Sequence, residues 1–341
     1  MRILEVSRYK NNFADHQLPF VTEQGEAIAQ ELRKVDSRKS IVDSEPSVVE
    51  YFLVKGNYIT AVKALKKKIQ EFKPDIVHAH YGLSAITAEL QSLVPVVTTF
   101  HNGETLNPLV NFASSLMSLR AKHVIYVAPH IRDLSYFKAR NYSVIPCGVP
   151  MEEMVITSKE EARRQLGWKD DTKYILFGGA FDNLRKNYKL LSDAVKQLEI
   201  GDCTLENGEI EVVEMKGLSR AECVLRMCGA DLFALPSHSE GSPQALKEAM
   251  AVNCPCLATD IADVRELFGD ESGHFILRNP RKTHERWDGD EKSLDEMVAL
   301  LKEALRYEGR TNGRKRIVEL GYTNESIAKK IVKIYEDIIK Q

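Results

Sequence analysis

Two glutamates with seven residues between them, Glu240 and Glu248, flank the start of a helical pattern in this 341-residue chain. Residues 236–250 read PSHSEGSPQALKEAM. A strand pattern ends at Pro236, and a polar loop follows with Glu240, Gly241 and Ser242. Pro243 falls where the first helical residue is expected, because its fixed φ suits that position. The helix it opens would offer the amides of Gln244, Ala245 and Leu246. Such amides, with the helix dipole behind them, favour an anion and match a diphosphate. Gly241 removes a side chain where a ligand must approach the backbone. A carboxylate accepts two hydroxyl hydrogen bonds, which suits the vicinal diol of a ribose or a hexose. The plainer alternative is that Glu240 only complements the helix dipole and Glu248 is solvated.

Further candidates also follow strand patterns. Arg185 and Lys186 come after the strand pattern at 174–177 and the pair Gly178-Gly179. They could hold a diphosphate, a guanidinium doing so bidentately, or be a solvated surface pair. His101 ends the strand pattern at 95–100. It could hydrogen-bond a sugar or relay a proton, or it could be structural. His80, at the end of the strand pattern 76–79, reads as structural. Asp288 and Asp290 resemble a metal-binding D-x-D only superficially, since they sit in a polar loop away from the strand ends. The six cysteines include no C-x-x-C pair and no cluster with zinc spacing, so they read as reduced thiols.

The elements that position these residues alternate. Short apolar strand patterns at 2–7, 47–53, 76–79, 95–100, 123–127 and 143–145 are interleaved with helical patterns at 18–35 and 57–73. In the second of these, Ile59, Val62, Leu65, Ile69 and Phe72 form one apolar face. Residues 146–154 read as a linker. The alternation then resumes with strands at 174–177, 209–215, 232–235 and 256–259, and helices at 187–198, 220–228, 243–252, 294–307 and 324–340. Such βαβα order predicts two α/β domains, each a parallel sheet with helices on both faces, whose ligands bind outside the strand C-termini. The expected boundaries are 1–149, 150–322 and a final helix at 323–341.

Composition is that of a soluble globular protein, 28% charged and 43% hydrophobic. A net charge of −2 argues against a nucleic-acid binder. Residues 1–150 nevertheless hold 18 Lys+Arg against 14 Asp+Glu. Either this is ordinary surface variation or the first half meets an anionic surface or acceptor. Lys63, Lys66, Lys67, Lys68 and Lys73 lie on the polar face of the 57–73 helix, which is either a solvated face or a peripheral membrane contact. No signal-peptide h-region and no membrane-spanning stretch is present, so a cytoplasmic location is expected, with peripheral association at the inner membrane face left open.

The E-x7-E segment resembles family 4 of the retaining glycosyltransferases, which have the GT-B fold. Further matches run in order along nearly the whole chain. They are PDIVHAH at 74–80, TTFH at 98–101, VIPCGV at 144–149, ADLFALPS at 230–237, and Thr259-Asp260 with Arg265-Glu266. The resemblance implies two Rossmann-like doubly wound domains facing a central cleft, with the C-terminal helix crossing back to the N-domain. It places Glu240 at the donor sugar, Glu248 at the nucleotide ribose and Lys186 at the diphosphate. The family's usual arginine is replaced by Ala180, and Arg185 is the candidate to supply that charge. His101 matches a histidine between donor and acceptor. Phe13, Asp15 and His16 fall in the loop that shapes acceptor binding. The implied reaction moves a sugar from a UDP- or GDP-linked donor to a glycan or lipid-linked acceptor, with retention and without a metal or other cofactor, in cell-surface glycan synthesis. A catalytically inactive GT-B subunit or a sugar-nucleotide epimerase is the alternative.

Overall fold

In parallel sheets both faces are covered by helices, so strands read as unbroken apolar runs, and the short runs of this chain behave accordingly. The computed structural model describes residues 1–8, 19–38, 47–55, 57–200, 209–279 and 291–340. It divides into two compact units: Met1–Gly148 with Tyr322–Gln341, and Val149–Gly321.

The first unit runs β1 (Arg2–Arg8), α1 (Pro19–Arg38), β2 (Val48–Val54), α2 (Tyr58–Phe72), β3 (Ile76–His80), α3 (Gly82–Glu89), β4 (Val96–Phe100), α4 (Pro108–Ser118), β5 (His123–Tyr126), α5 (Pro129–Leu134) and β6 (Tyr142–Val144). Its strands lie in the order β2-β1-β3-β4-β5-β6, all parallel. Side chains along β1 alternate between two cores. Leu4 and Val6 join Leu65, Phe72 and Phe100 on one face, while Ile3 joins Ile28, Leu32, Ile76 and Val97 on the other. Glu5 shares the period of Ile3 and is fully buried.

Helix α2 departs from the apolar stripe expected of it, and α4 was not read from the sequence as a helix. In α2, Ala61, Leu65, Ile69 and Phe72 are buried but Ile59 is 72% exposed. Residues 59 and 61 lie about 200° apart around a helix, so Ile59 cannot share the buried face. In α4 the polarity is inverted. Asn111, Ser114, Ser115 and Ser118 are buried, whereas Leu109, Phe112 and Leu116 point outward. The serines tolerate burial because each hydroxyl donates to a carbonyl of its own helix: Ser114 to Val110 (2.6 Å), Ser115 to Asn111 (2.6 Å) and Ser118 to Ser115 (2.8 Å). Their small size also admits α3, where a Cβ on Gly82 would stand 2.5 Å from Ser114.

The second unit runs α6 (Lys159–Leu166), β7 (Lys173–Phe177), a 3-10 turn (Leu184–Lys186), α7 (Tyr188–Ile200), β8 (Ile210–Glu214), α8 (Arg220–Gly229), β9 (Leu232–Leu235), α9 (Gln244–Ala251), β10 (Cys256–Thr259), α10 (Val264–Phe268), β11 (His274–Leu277), α11 (Glu291–Arg306) and α12 (Gly313–Glu319). Its parallel strands are ordered β11-β10-β9-β7-β8. Strand order therefore reverses between β7 and β9, and between β1 and β3 in the first sheet. Those are the points where ligands bind in doubly wound folds.

The last helix, α13 (Asn324–Ile339), belongs to the first unit. Ile327, Ile331 and Tyr335 are buried in the core that contains Ile3, and Ile334 and Ile338 pack at its margin. Burying one such isoleucine contributes about 1.5–3 kcal/mol. No described helix is long and apolar enough to cross a membrane. Cys147, Cys223, Cys228, Cys254 and Cys256 are free thiols.

Candidate active site

In the second unit, the loops after β7 and β9 meet at the point where strand order reverses. Strand β7 ends at Phe177, and the amide of the next residue, Gly178, donates to Ala234 O on β9 at 2.9 Å. Gly179 leaves room for the Lys186 stem, since a Cβ there would stand 2.8 Å from Lys186 Cγ. The chain then makes the 3-10 turn, started by Asn183, whose side chain accepts from Arg185 N. That turn carries Arg185 and Lys186 back over the loop after β9. The amide of His238 donates to Arg185 O at 2.9 Å and joins the two loops.

Both cations converge on Glu240. Lys186 Nζ donates to Glu240 Oε1 at 2.8 Å. Arg185 Nη1 donates to Glu240 Oε2 at 3.1 Å and to Ser239 O at 2.7 Å. Arg185 therefore meets the same carboxylate as Lys186, although the usual arginine position is occupied by Ala180. Burial works against a charge on Glu240, but Lys186 and Arg185 outweigh it and hold the carboxyl below its ordinary range.

Helix α9 begins at Gln244, one residue later than its proline suggested. Pro243 is the N-cap, with φ −70° and ψ 103°, and contributes no side-chain cap. Proline at this position has no hydroxyl or carboxylate to offer the first-turn amides. Ser242 turns away and donates to Asp263 Oδ2 at 2.6 Å. Gly241, Gln244 and Ala245 are half-buried, whereas Leu246 and Lys247 are fully buried. Glu248, in the second turn, accepts from Arg220 Nη1 at 2.9 Å. Burial pushes its carboxyl up, with Arg220 opposing. Arg220 also reaches Glu153, at 3.3 Å. The structure thus gives Glu240 and Glu248 separate cationic partners. Sequence reading missed Arg220, 28 positions from Glu248, as well as Lys247 and Asp263. No local pattern marks any of the three.

In the first unit, β4 delivers His101 to a polar cluster on the α13 side of the sheet. His80 Nε2 lies 2.7 Å from Glu5 Oε2, and His80 Nδ1 lies 3.1 Å from His101 Nε2. His101 Nδ1 lies 3.7 Å from Cys147 Sγ. His78 bridges Tyr335 Oη (2.6 Å) and Thr99 Oγ1 (2.7 Å). Burial opposes charge on Glu5, yet the two histidines bring its carboxyl down to about 2. Burial, with His78 alongside, keeps His80 below its ordinary range. Glu104 Oε1 accepts from the His101 amide at 2.8 Å. Burial pushes Glu104 up to about 7 despite its amide hydrogen bonds. Tyr81 and Asn102, which follow the two histidines, have φ of 70° and 93°, a positive-φ geometry that costs a non-glycine residue energy. Glu5 had a sequence signal, a lone acid inside the short apolar run Ile3–Val6.

Among the described residues, Glu5, His78 and His80 are near enough together to hold a cation, but each of their ring nitrogens already faces a protein partner. Phe13, Asp15 and His16 lie outside the described residues, as do Asp288 and Asp290.

Comparison with known proteins bears on the family and the fold. A family model for Glycosyltransferase Family 4 matches residues 14–153, and one for Glycosyl transferases group 1 matches residues 172–288. A Bacillus subtilis protein named as a teichuronic acid biosynthesis glycosyltransferase, TuaC, is 27% identical over 64% of this chain, a match that spans 60% of that relative's length. Sucrose-phosphate synthase from Thermosynechococcus elongatus superposes with a TM-score of 0.76, at 16% identity and 99% coverage of both chains. Anabaena HepE, solved in complex with UDP, gives 0.67 at 14% identity, covering 99% of this chain and 100% of its own. The chain belongs to the family 4, group 1 glycosyltransferases and has their GT-B fold.

Proposed function

We propose that the chain transfers a sugar from a nucleoside diphosphate sugar to a hydroxyl acceptor, with retention at the anomeric carbon, during cell-surface glycan synthesis. The observation that carries this reading is the Lys186–Glu240–Arg185 cluster beside the α9 N-terminus at the β7/β9 switch point. Lys186 and Arg185 both pair with Glu240, whose single negative charge offsets only one of the two cations. An incoming diphosphate competes for them and, with the first-turn amides, gains strong charge-assisted hydrogen bonds. Glu240 is then free to accept from the donor sugar's hydroxyls. Glu248, steadied by Arg220, accepts from the ribose. As the glycosidic bond breaks, the same cations and amides stabilise the departing diphosphate, and in this reading no metal ion is needed. TuaC, named for teichuronic acid, and the UDP-bound HepE are similar proteins that fit a nucleotide-sugar donor and a surface-glycan product.

The acceptor in this reading is a glycan or a lipid-linked sugar, and the first unit rests on the inner membrane face. The outward apolar stripe of α4 supports this better than the α2 lysines do. Leu109 is 81% exposed, Arg120 and Lys122 follow the helix, and no acid occurs between Glu104 and Asp133. Apolar side chains flanked by bases suit an anionic lipid surface.

A thermal-shift screen with UDP, GDP, ADP and their sugars tests the donor site. At about 100 times its dissociation constant, the right nucleotide stabilises the protein by about 2.7 kcal/mol. No shift with any nucleotide, at concentrations up to the millimolar range, would defeat the proposal.

A further inference from the structure

We infer that Glu5 and His80 form a buried relay that fixes the tautomer of His101, so that His101 presents Nδ1 as a hydrogen-bond acceptor to a sugar hydroxyl. This rests on the reading of His101 as a substrate-side group; Glu5 and His80 are positioning residues that act through it.

The chain of donors follows from the distances. An ionised carboxylate only accepts hydrogen bonds, and Glu5 stays ionised because its carboxyl titrates near 2. The 2.7 Å contact therefore requires the proton on His80 Nε2. A buried, neutral His80 then has a bare Nδ1. The 3.1 Å contact to His101 requires His101 Nε2 to donate. In the neutral His101 ring this leaves Nδ1 bare, facing Cys147 Sγ at 3.7 Å. A thiol is a weaker hydrogen-bond donor than a sugar hydroxyl. The ring itself is clamped, with Tyr81, Phe20 and His80 at centroid distances of 4.6, 5.1 and 5.4 Å. Its backbone amide is tied to Glu104.

The neighbouring His78 does not enter the relay. Its two nitrogens face Tyr335 and Thr99, and its 3.5 Å approach to Glu5 Oε1 only steadies the carboxylate. The relay also assigns a purpose to an otherwise costly feature, a charged side chain inside a parallel sheet. Burying a carboxylate is tolerated only when it is paired and hydrogen-bonded. A leucine at position 5 would pack there without such partners, but it would leave the tautomers of both histidines unset. An orienting carboxylate behind an imidazole acts in this way in other enzymes, where its amide variant inverts the tautomer and lowers turnover.

Nitrogen-15 histidine labelling of the full chain, read by two-bond proton–nitrogen correlation at pH 8 and assigned with His101→Gln, reports the tautomer without any need for activity. The expected pattern is a protonated Nε2 and a bare Nδ1 on His101. A protonated Nδ1 overturns the relay, as does a stoichiometric zinc ion in the purified protein. In Glu5→Gln, whose side chain keeps the shape, His101 is expected to move to the opposite tautomer. Its kcat should fall at least tenfold, with KM for the donor and the UDP dissociation constant within about twofold. An unchanged tautomer or an unchanged kcat in that variant overturns the positioning role. A wild-type chain that transfers no sugar from any donor counts against the proposed function alone, because the labelling result still decides the relay.

Discussion

Each unit buries one carboxylate at the switch point of its sheet, and the two are kept ionised by opposite means. Glu240 is held by two full cations, Lys186 and Arg185. Glu5 is held by two histidines, His80 at 2.7 Å from Oε2 and His78 at 3.5 Å from Oε1. The first arrangement can be exchanged: a polyanion can take the cations away, and the carboxylate then has lone pairs to offer. The second is not open to such exchange in the same way, because among the described residues no Lys or Arg is paired with Glu5. Its effect is to fix proton positions. A buried ion pair is weak evidence for stability in itself, so the Glu240 cluster reads as binding machinery, whereas Glu5 reads as geometry.

The strongest way to break this contrast is Lys186→Ala. Removing a cation that faces a departing diphosphate should lower kcat by about 100- to 1000-fold. A steady-state transfer assay that shows less than a tenfold loss would mean the cation serves Glu240 and not the donor. Glu248→Ala comes next. A hydrogen bond to a charged group contributes about 1.5–3 kcal/mol, so the nucleotide dissociation constant should rise by roughly 10- to 100-fold by calorimetry. An unchanged constant would remove Glu248 from the ribose.

Titration sharpens the comparison within the first unit. Glu5 has a folded pKa of about 2, below its unfolded value. Its contribution is present above the unfolded pKa and is lost as pH falls from about 4.5 toward 2. Glu104 has the opposite sign. Its folded pKa is raised to about 7, so the folded state holds the proton more tightly and stability falls as pH rises from about 4.5 through 7. Glu104→Gln should therefore stabilise the first unit by on the order of 2–3 kcal/mol at pH 8 and by little at pH 4.5, in denaturant titrations at both values. Equal effects at the two pH values would show that Glu104 is not protonated by burial. The smallest stability effect belongs to α4. Leu109→Ser should change folding stability by less than about 0.5 kcal/mol, while lowering the fraction bound to anionic vesicles in a flotation assay. Unaltered flotation would remove α4 as the membrane contact.

Most strands and the loops that follow them were legible because short β-branched or apolar runs such as VVTTF and LFAL have few other fates, whereas β11 and the order of the strands in each sheet were not read. The helix after Pro243 was legible from its proline and its polar lead-in. What stayed hidden depends on long-range packing. Arg220 comes to Glu248 from another helix, and Glu5 reaches His80 across 75 positions. The inverted faces of α4 could not be read from the size of its side chains. There, the hydroxyls of Ser114, Ser115 and Ser118 are satisfied within the helix, which frees the leucines to face outward. Ile59 was assigned to one apolar face with Val62, Leu65, Ile69 and Phe72, but it lies outside the buried face centred on Ala61, Leu65, Ile69 and Phe72.

The placement of α13 has a consequence for synthesis on the ribosome. Its side chains Ile327, Ile331 and Tyr335 complete the core around Ile3, and Tyr335 anchors His78. The second unit is spliced between the strands of the first and this helix. The usual vectorial order, with the first-made domain maturing first, is thus reversed. The nascent β1–β6 sheet must wait, with the face shared by α1 only partly covered, while the second unit is made and folds behind it.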